Sequence, residues 1–450
     1  MLFLHHCRSA GVETFMSKQL QLFFLSLIFT FFNVSFASPR PCQTDGSSIV
    51  GADFYNTLGT VEQFMLSGRL IRDHVDLDRF AITPLQAART NEVKNASLKI
   101  YIKKDNKISL LGEFSSDAEG YFTQTFNFPT QHKQAGLYQV LVEYNDCTVG
   151  EANLRLLDMN HNGIVVRSDI DWTYLETDFQ SSSGLLKTLR SNAKSKRNLP
   201  AMPIVYQGLR NGVGFDNRPL QFLSGSPRFF KRVLESKMHL DGIEQDGMVL
   251  KPIKDIMYRN IKRANLIRLP KALKQQIGYK LHALLVLRSF LPPSAHEVLL
   301  GDDTEADVVV YNLYHRFLAN QLTTNSLVGE LKDLAVSKHW QMKIFIAATA
   351  LEKLSMPPMP VKGIYINHTG KSTLQYPFEQ WKVPNITLYH KGAWPLVLKL
   401  YEQGWVDKTT VLSVRNELKQ SSYSDSDLND HAEHALQQGV LLKSTVDLFR

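Results

Sequence analysis

The chain has 450 residues, too many for one ordinary core, so about two or three domains are expected. With 44% hydrophobic and 21% charged residues its composition is that of globular protein, not of a disordered or fibrous chain. The net charge of +8 favours anionic partners without choosing among anionic lipid, phosphorylated small molecules and nucleic acid.

At the N-terminus, LQLFFLSLIFTFF (Leu20 to Phe32) is a charge-free apolar run preceded by Lys18 and followed by Ser35-Phe36-Ala37, a small-x-small cleavage pattern. The run is shorter than the roughly 20 residues a membrane span needs. A cleaved secretory leader over residues 1–37 is therefore expected, with the mature protein secreted or periplasmic. MSKQLQLFF, from Met16, makes a more usual leader than the extension ahead of it. No lipobox surrounds Cys42. Of the three cysteines, Cys7 leaves with the leader, so Cys42 and Cys147 form either one disulfide or two buried thiols.

Residues 38–157 read as a small β-sandwich, immunoglobulin-like or transthyretin-like. ASLKIYIKK, GYFTQTFNF and LYQVLVEY alternate apolar and polar residues, and the turn clusters KKDNK and SSDAEG punctuate them. A binding or spacing role suits such a module. Asp158 to Gly163 fits the start of a calcium loop, but the twelfth position is Asp169, not Glu, and an apolar strand fills the second half. A polar turn between two domains is the better reading. The sequons at Asn95 and Asn385 matter only where secreted proteins are glycosylated.

From 158 to 406 the pattern becomes α/β. GIVVRSD, PLQFLSGS, HEVLLGDD, VKGIYINH and ITLYH are near-continuous apolar strands, and IGYKLHALLVLRSFL is helical. This predicts a doubly wound parallel sheet, in which ligands bind beyond the carboxyl ends of the strands. Between Lys187 and Lys274, 19 Lys/Arg face 6 Asp/Glu, which makes either a solvated basic face or the surround of an anion site. Phe229 and Phe230 beside Arg228, Lys231 and Arg232 suit core packing, or peripheral contact with a membrane. Residues 407–450 form a helical tail interrupted by SSYSDSD, and its HAEH (His431 to His434) lacks metalloprotease spacing.

The polar strand ends carry the chemistry. Asp169 and Asp171 end the first, Ser224 the second, and Asp302, Asp303 and then Asp307 follow the GDD strand, while Lys280 opens the intervening helix. Crowded carboxylates call for a hard divalent cation, Mg²⁺ above all, and Ser224 and Lys280 supply a hydroxyl and a point charge for a phosphoryl group. Asp169 suits a nucleophile and Asp171 an acid/base, provided the chain leaves strand geometry near Ile170. Ser226 and Pro227 fit a helix start, with Ser226 as cap.

Asp169-Ile170-Asp171-Trp172-Thr173 resembles the DxDxT signature of haloacid dehalogenase-type phosphatases, and VVRSDIDWTYLETDF resembles the SDIDDTI signature of the actin-patch phosphatidate phosphatase family. LQFLSGSPRFFKRVLE resembles that family's second motif and GDDTEADVVVY its fourth, with Lys280 in the place of the third-motif lysine. The resemblance spans about Gly163 to Val406, and the β-rich region before it matches the family's N-terminal sandwich in kind. It implies a haloacid dehalogenase-like fold and a Mg²⁺-dependent phosphatase working through an aspartyl-phosphate. It makes Asp169 nucleophile and metal ligand, Asp171 acid/base and a ligand through its carbonyl, and Thr173 a support of the substrate loop. Ser224 and Lys280 become phosphoryl contacts, Asp302 a metal ligand and Asp307 its neighbour at the metal. Trp172, Asp303 and Ala306 depart from the family's aspartate, serine and lysine where substrate would lie. The implied substrate is phosphatidate or another lipid phosphate. A soluble or protein-bound phosphoester, or an idle cell-surface binding protein, is the alternative, and nothing in the pattern calls for nucleic acid.

Overall fold

The computed structural model describes residues 42–450 apart from 44–47, 75–79, 89–90, 106, 128–133, 178–181, 215–216, 253–275, 355, 358 and 371–377. The expected leader lies outside these residues. Among them no helix is long and apolar enough to cross a membrane.

The N-terminal region is sheet-rich. Its strands are β1 (Cys42–Gln43), β2 (Ser48–Asn56), β3 (Leu58–Thr60), β4 (Gln63–His74), β5 (Asn91–Glu92), β6 (Ser97–Lys104), β7 (Lys107–Ser115), β8 (Tyr121–Asn127), β9 (Gly136–Tyr144) and β10 (Cys147–Leu157). They join in one hydrogen-bonded network, in which β4 pairs with β2, β3, β5 and β8. Alternation explains the fold: Leu98, Ile100 and Ile102 point from β6 into a core shared with Tyr138, Val140 and Val142 of β9. Asp105, with a φ of +48°, turns the β6–β7 hairpin at the KKDNK cluster. The sequence reading missed β2, β4, β7 and β10, whose glycines and charged residues blur the alternation. Cys147 is disulfide-bonded; the side chain of Cys42 lies outside the described residues.

The link to the next region is a polar turn, with Asn160 N donating to Asp158 Oδ1 at 2.8 Å. A parallel six-stranded sheet follows. Its strands are β11 (Ile164–Ser168), β14 (Leu220–Pro227), β15 (Met248–Lys251), β16 (His296–Asp302), β17 (Val361–Asn367) and β18 (Thr387–His390), in the order β15-β14-β11-β16-β17-β18. The chain runs outward from β11 to one edge and then returns to build the other, which makes a switch point at β11. The short β15 was not expected: only four residues, MVLK, carry it.

Period-two alternation sends Val298 and Leu300 to one face and Leu299 to the other. Helices Met202–Asn211, Lys231–Leu240 and Ala393–Glu402 cover the first face, and Gln276–Arg288, Asp307–Leu318 and Lys338–Leu351 the second. The C-terminal helices Lys408–Gln420, Asp425–Gln437 and Lys443–Leu448 add Val411, Leu428 and Val446 to the first face's core. Ser424 in the SSYSDSD stretch caps the second of these through a capping box with Asp427.

Buried polar bonds tie the two regions. Gln221 Nε2 donates to Asn56 Oδ1 at 2.7 Å, and Asp246 takes Arg155 Nε at 2.8 Å as well as Arg210. Around the turn after β14, the Arg228 guanidinium stacks on Tyr121 at 4.3 Å and on Tyr55 at 5.3 Å. The N-terminal sheet thus braces the segment that leaves the strand carrying Ser224.

Candidate active site

The carboxyl ends of β11, β14 and β16 converge as the alternation argument requires. Strand β11 ends at Ser168, which lies between Phe222 and Leu300 in register. Ile170 turns into the core and its carbonyl accepts from both Tyr174 N and Leu175 N at 2.9 Å. Trp172 takes a left-handed φ of +56°, and a bridge links Asp171 to Leu175. The backbone therefore leaves strand geometry directly after Ser168, in the stretch that carries Asp169 and Asp171.

Asp169, Asp302 and Asp307 are fully buried, and one carboxylate oxygen of each lies within 4.8 Å of the others. Lys280 reaches in from the helix Gln276–Arg288, with Nζ 3.1 Å from Asp169 Oδ1, 2.9 Å from Glu305 Oε2 and 2.5 Å from Asp307 Oδ1. Gly301 makes this close approach possible, because a Cβ there would meet the Asp307 Cβ at 2.7 Å. Asp302 Oδ1 accepts from Thr304, Asp169 Oδ1 has only the Lys280 ammonium beside it, and Asp302 Oδ2 and Asp169 Oδ2 have no hydrogen-bond donor. Burial raises the pKa of Asp169 and Asp302 well above the usual carboxylate range. Lys280 opposes this while neighbouring carboxylates reinforce it. Burial works against the Lys280 charge, yet Asp169, Asp307 and Glu305 outweigh it and hold the ammonium charged. Crowded, donor-poor oxygens of this kind fit a hard divalent cation. Asp169, Asp302 and Asp307 are the residues that would hold it.

Asp171 is set apart from that cluster. Its Oδ2 accepts from Ser226 Oγ at 2.8 Å and from Ser224 Oγ at 3.1 Å. Burial and the charge on Glu305 raise its pKa, with the Ser226 hydrogen bond pulling the other way. Thr173 is buried in the same curl, and its hydroxyl has no hydrogen-bond partner.

Residues 164–323 match the model of the family described as phosphatidate phosphatase APP1, catalytic domain. This segment is of the APP1 type. No curated protein matches the chain. Among solved structures, a superoxide reductase (neelaredoxin) from Ignicoccus hospitalis is 14% identical over 24% of this chain and 80% of its own, with a TM-score of 0.15. A CARDB domain from Pyrococcus furiosus is 12% identical over 25% of this chain and 97% of its own, with a TM-score of 0.15. A glycosyl hydrolase family 2 member from Bacteroides cellulosilyticus is 11% identical over 79% of this chain and 44% of its own, with a TM-score of 0.21.

Two expectations need correcting within the APP1-type segment. Ser226 does not cap a helix: β14 continues to Pro227, a 3₁₀ turn (Arg228–Phe230) precedes the helix, and the Ser226 hydroxyl goes to Asp171 instead. Lys280 does not open its helix but lies one turn inside Gln276–Arg288, where a long side chain can reach the strand ends. Phe230 is buried and Phe229 packs against the same core, the ordinary reading of that pair.

Asp303, a departure from the family pattern, is held by residues that follow β17. Its Oδ1 accepts from Thr369 N at 2.9 Å and its Oδ2 meets His368 Nδ1 at 2.7 Å. Asn367 Nδ2 then donates to the Trp172 carbonyl at 2.7 Å. Sequence reasoning missed Glu305, Ser226, Thr177, Asn367 and Lys196. Glu305, Ser226 and Thr177 sat within quoted motif stretches and could have been found, while Asn367 and Lys196 reach the site only through chain packing.

Proposed function

We propose that this chain is a Mg²⁺-dependent phosphatase that passes a phosphoryl group through Asp169, with phosphatidate or another lipid phosphate as substrate. The observation that carries the reading is the group of buried, donor-poor carboxylates around Lys280 within an APP1-type segment. The fold reading that goes with it is haloacid dehalogenase-like, preceded by an immunoglobulin-like module, and the leader would send the protein to a secreted or periplasmic location.

In this reading an Asp169 oxygen attacks phosphorus while the ester P–O bond breaks. Asp171, whose buried carboxyl is shifted toward the protonated form, delivers its proton to the departing alkoxide. Asp171 then takes a proton from water as the water attacks the aspartyl-phosphate, which frees phosphate and restores Asp169. Lys280 offsets the negative charge beside Asp169 throughout, and Ser224 and Ser226 hold the Asp171 carboxyl on target. A bound Mg²⁺ would supply charge neutralisation for the phosphoryl oxygens. Thr173 and the left-handed Trp172 set the shape of the loop facing substrate.

A lipid substrate draws support from the family, whose model is that of a phosphatidate phosphatase catalytic domain. Phosphate release from phosphatidate vesicles, compared with a panel of soluble phosphomonoesters with and without EDTA, tests it. Preference for phosphatidate is expected. Preference for the soluble panel would move the substrate to a soluble phosphoester, and no release from either would leave a binding protein.

A further inference from the structure

Lys196 lies between the 3₁₀ turn Ala193–Ser195 and the short strand β13 (Arg197–Asn198). Strand β13 pairs with β12 (Leu175–Glu176), and Leu175 is bridged to Asp171. The backbone therefore carries Lys196 directly onto the Asp171 loop. Its side chain is 9% exposed and its ammonium rests 5.4 Å from the centre of the Phe230 ring. Among the described residues no carboxylate forms an ion pair with it. Asp171 is its one charged influence, raising a pKa that burial has pushed down to about 8.

Beyond the Phe230 ring face the ammonium has no anion, and burying a cation without a counter-charge is unfavourable unless an anion arrives to meet it. Lys280 pairs with Asp169, Glu305 and Asp307, and Lys196 pairs with none of them. Lys196 instead belongs to the Asp171 side, where Ser224 and Ser226 occupy Asp171 Oδ2 and the ammonium stands off from the carboxyl without pairing to it.

We infer that Lys196 is a substrate-binding residue that holds the oxyanion on the leaving-group side of Asp171. The inference rests on the phosphatase reading. As the ester P–O bond breaks, the leaving oxygen gains negative charge and takes the Asp171 proton; the Lys196 ammonium stabilises that charge by hydrogen bonding and keeps its own protons. In the product state the same position receives one oxygen of inorganic phosphate.

The test uses the full chain with Mg²⁺ and compares wild type with Lys196→Met and Lys196→Arg. Calorimetry measures binding of inorganic phosphate, and steady-state kinetics compares an alkyl phosphate with p-nitrophenyl phosphate, whose leaving group needs little help. Lys196→Met should weaken phosphate binding and lower kcat/KM for the alkyl ester by on the order of 10²-fold. The aryl ester should lose much less, Lys196→Arg should recover part of the loss, and the Lys196→Met melting temperature should hold or rise. Unchanged phosphate binding, or equal loss with both esters, would overturn the assignment. If wild type releases phosphate from neither ester nor from phosphatidate vesicles, the phosphatase reading falls by itself while phosphate binding still decides whether Lys196 holds an anion.

Discussion

Strands β11 and β16 serve two buried charge clusters that are finished differently. In one, Glu297 receives Arg167 on Oε1 and Tyr314 at 2.7 Å on Oε2, with Arg288 at 3.5 Å, and Gln221 accepts from Arg167 at 2.6 Å. In the other, Lys280 pairs with Asp169 and Asp307 but not with Asp302, and Asp169 Oδ2 and Asp302 Oδ2 have no donor. Both clusters bear the desolvation penalty of buried charge. Only the first satisfies its carboxylate from within the fold, and that difference is what supports the proposal of a cation at the second.

The comparison can be broken by mutation. The largest effect is expected from Asp302→Asn, which removes a carboxylate from the cation cluster. Phosphate release should fall on the order of 10²- to 10³-fold, and melting in EDTA should hold or rise because a repelled charge is gone. Next, Glu297→Ala should lower stability by about 3–5 kcal/mol, since it strands Arg167 and Arg288. Chemical denaturation would measure that loss, and turnover per folded molecule should be unchanged.

A smaller effect is expected from pH. The folded pKa values of Asp169 and Asp302 are raised above their unfolded values, so these groups favour folding below the unfolded pKa and lose that contribution as pH rises through the folded one. In EDTA the melting temperature should therefore fall as pH rises from the acid range toward neutrality. Saturating Mg²⁺ should flatten that slope. Smallest is Ser226→Ala, which removes one buried hydrogen bond to Asp171 at about 1 kcal/mol and leaves Ser224 in place.

Much of the α/β region was legible because apolar strands buried on both faces stand out, as IVVRS and HEVLLGD do. Their polar ends then named Asp169, Asp171, Ser224, Asp302 and Asp307 without knowledge of the packing. Lys280 was found by order along the chain, but its depth within a helix was not, since periodicity alone does not fix where a helix begins. Ser226 was misread because Ser-Pro is an ordinary helix-start signal, and only the third dimension shows Asp171 competing for the hydroxyl. Lys196 was invisible: it lies in a lysine-rich stretch, and the β12–β13 pairing that carries it to Asp171 is two residues long on each side.

Phosphate release by wild type and Asp169→Asn, measured side by side on phosphatidate with Mg²⁺ and with EDTA, tests the central claim most directly. The account predicts release by wild type that EDTA abolishes, and none by Asp169→Asn, whose melting temperature in EDTA is equal or higher. Undiminished release by Asp169→Asn would contradict it.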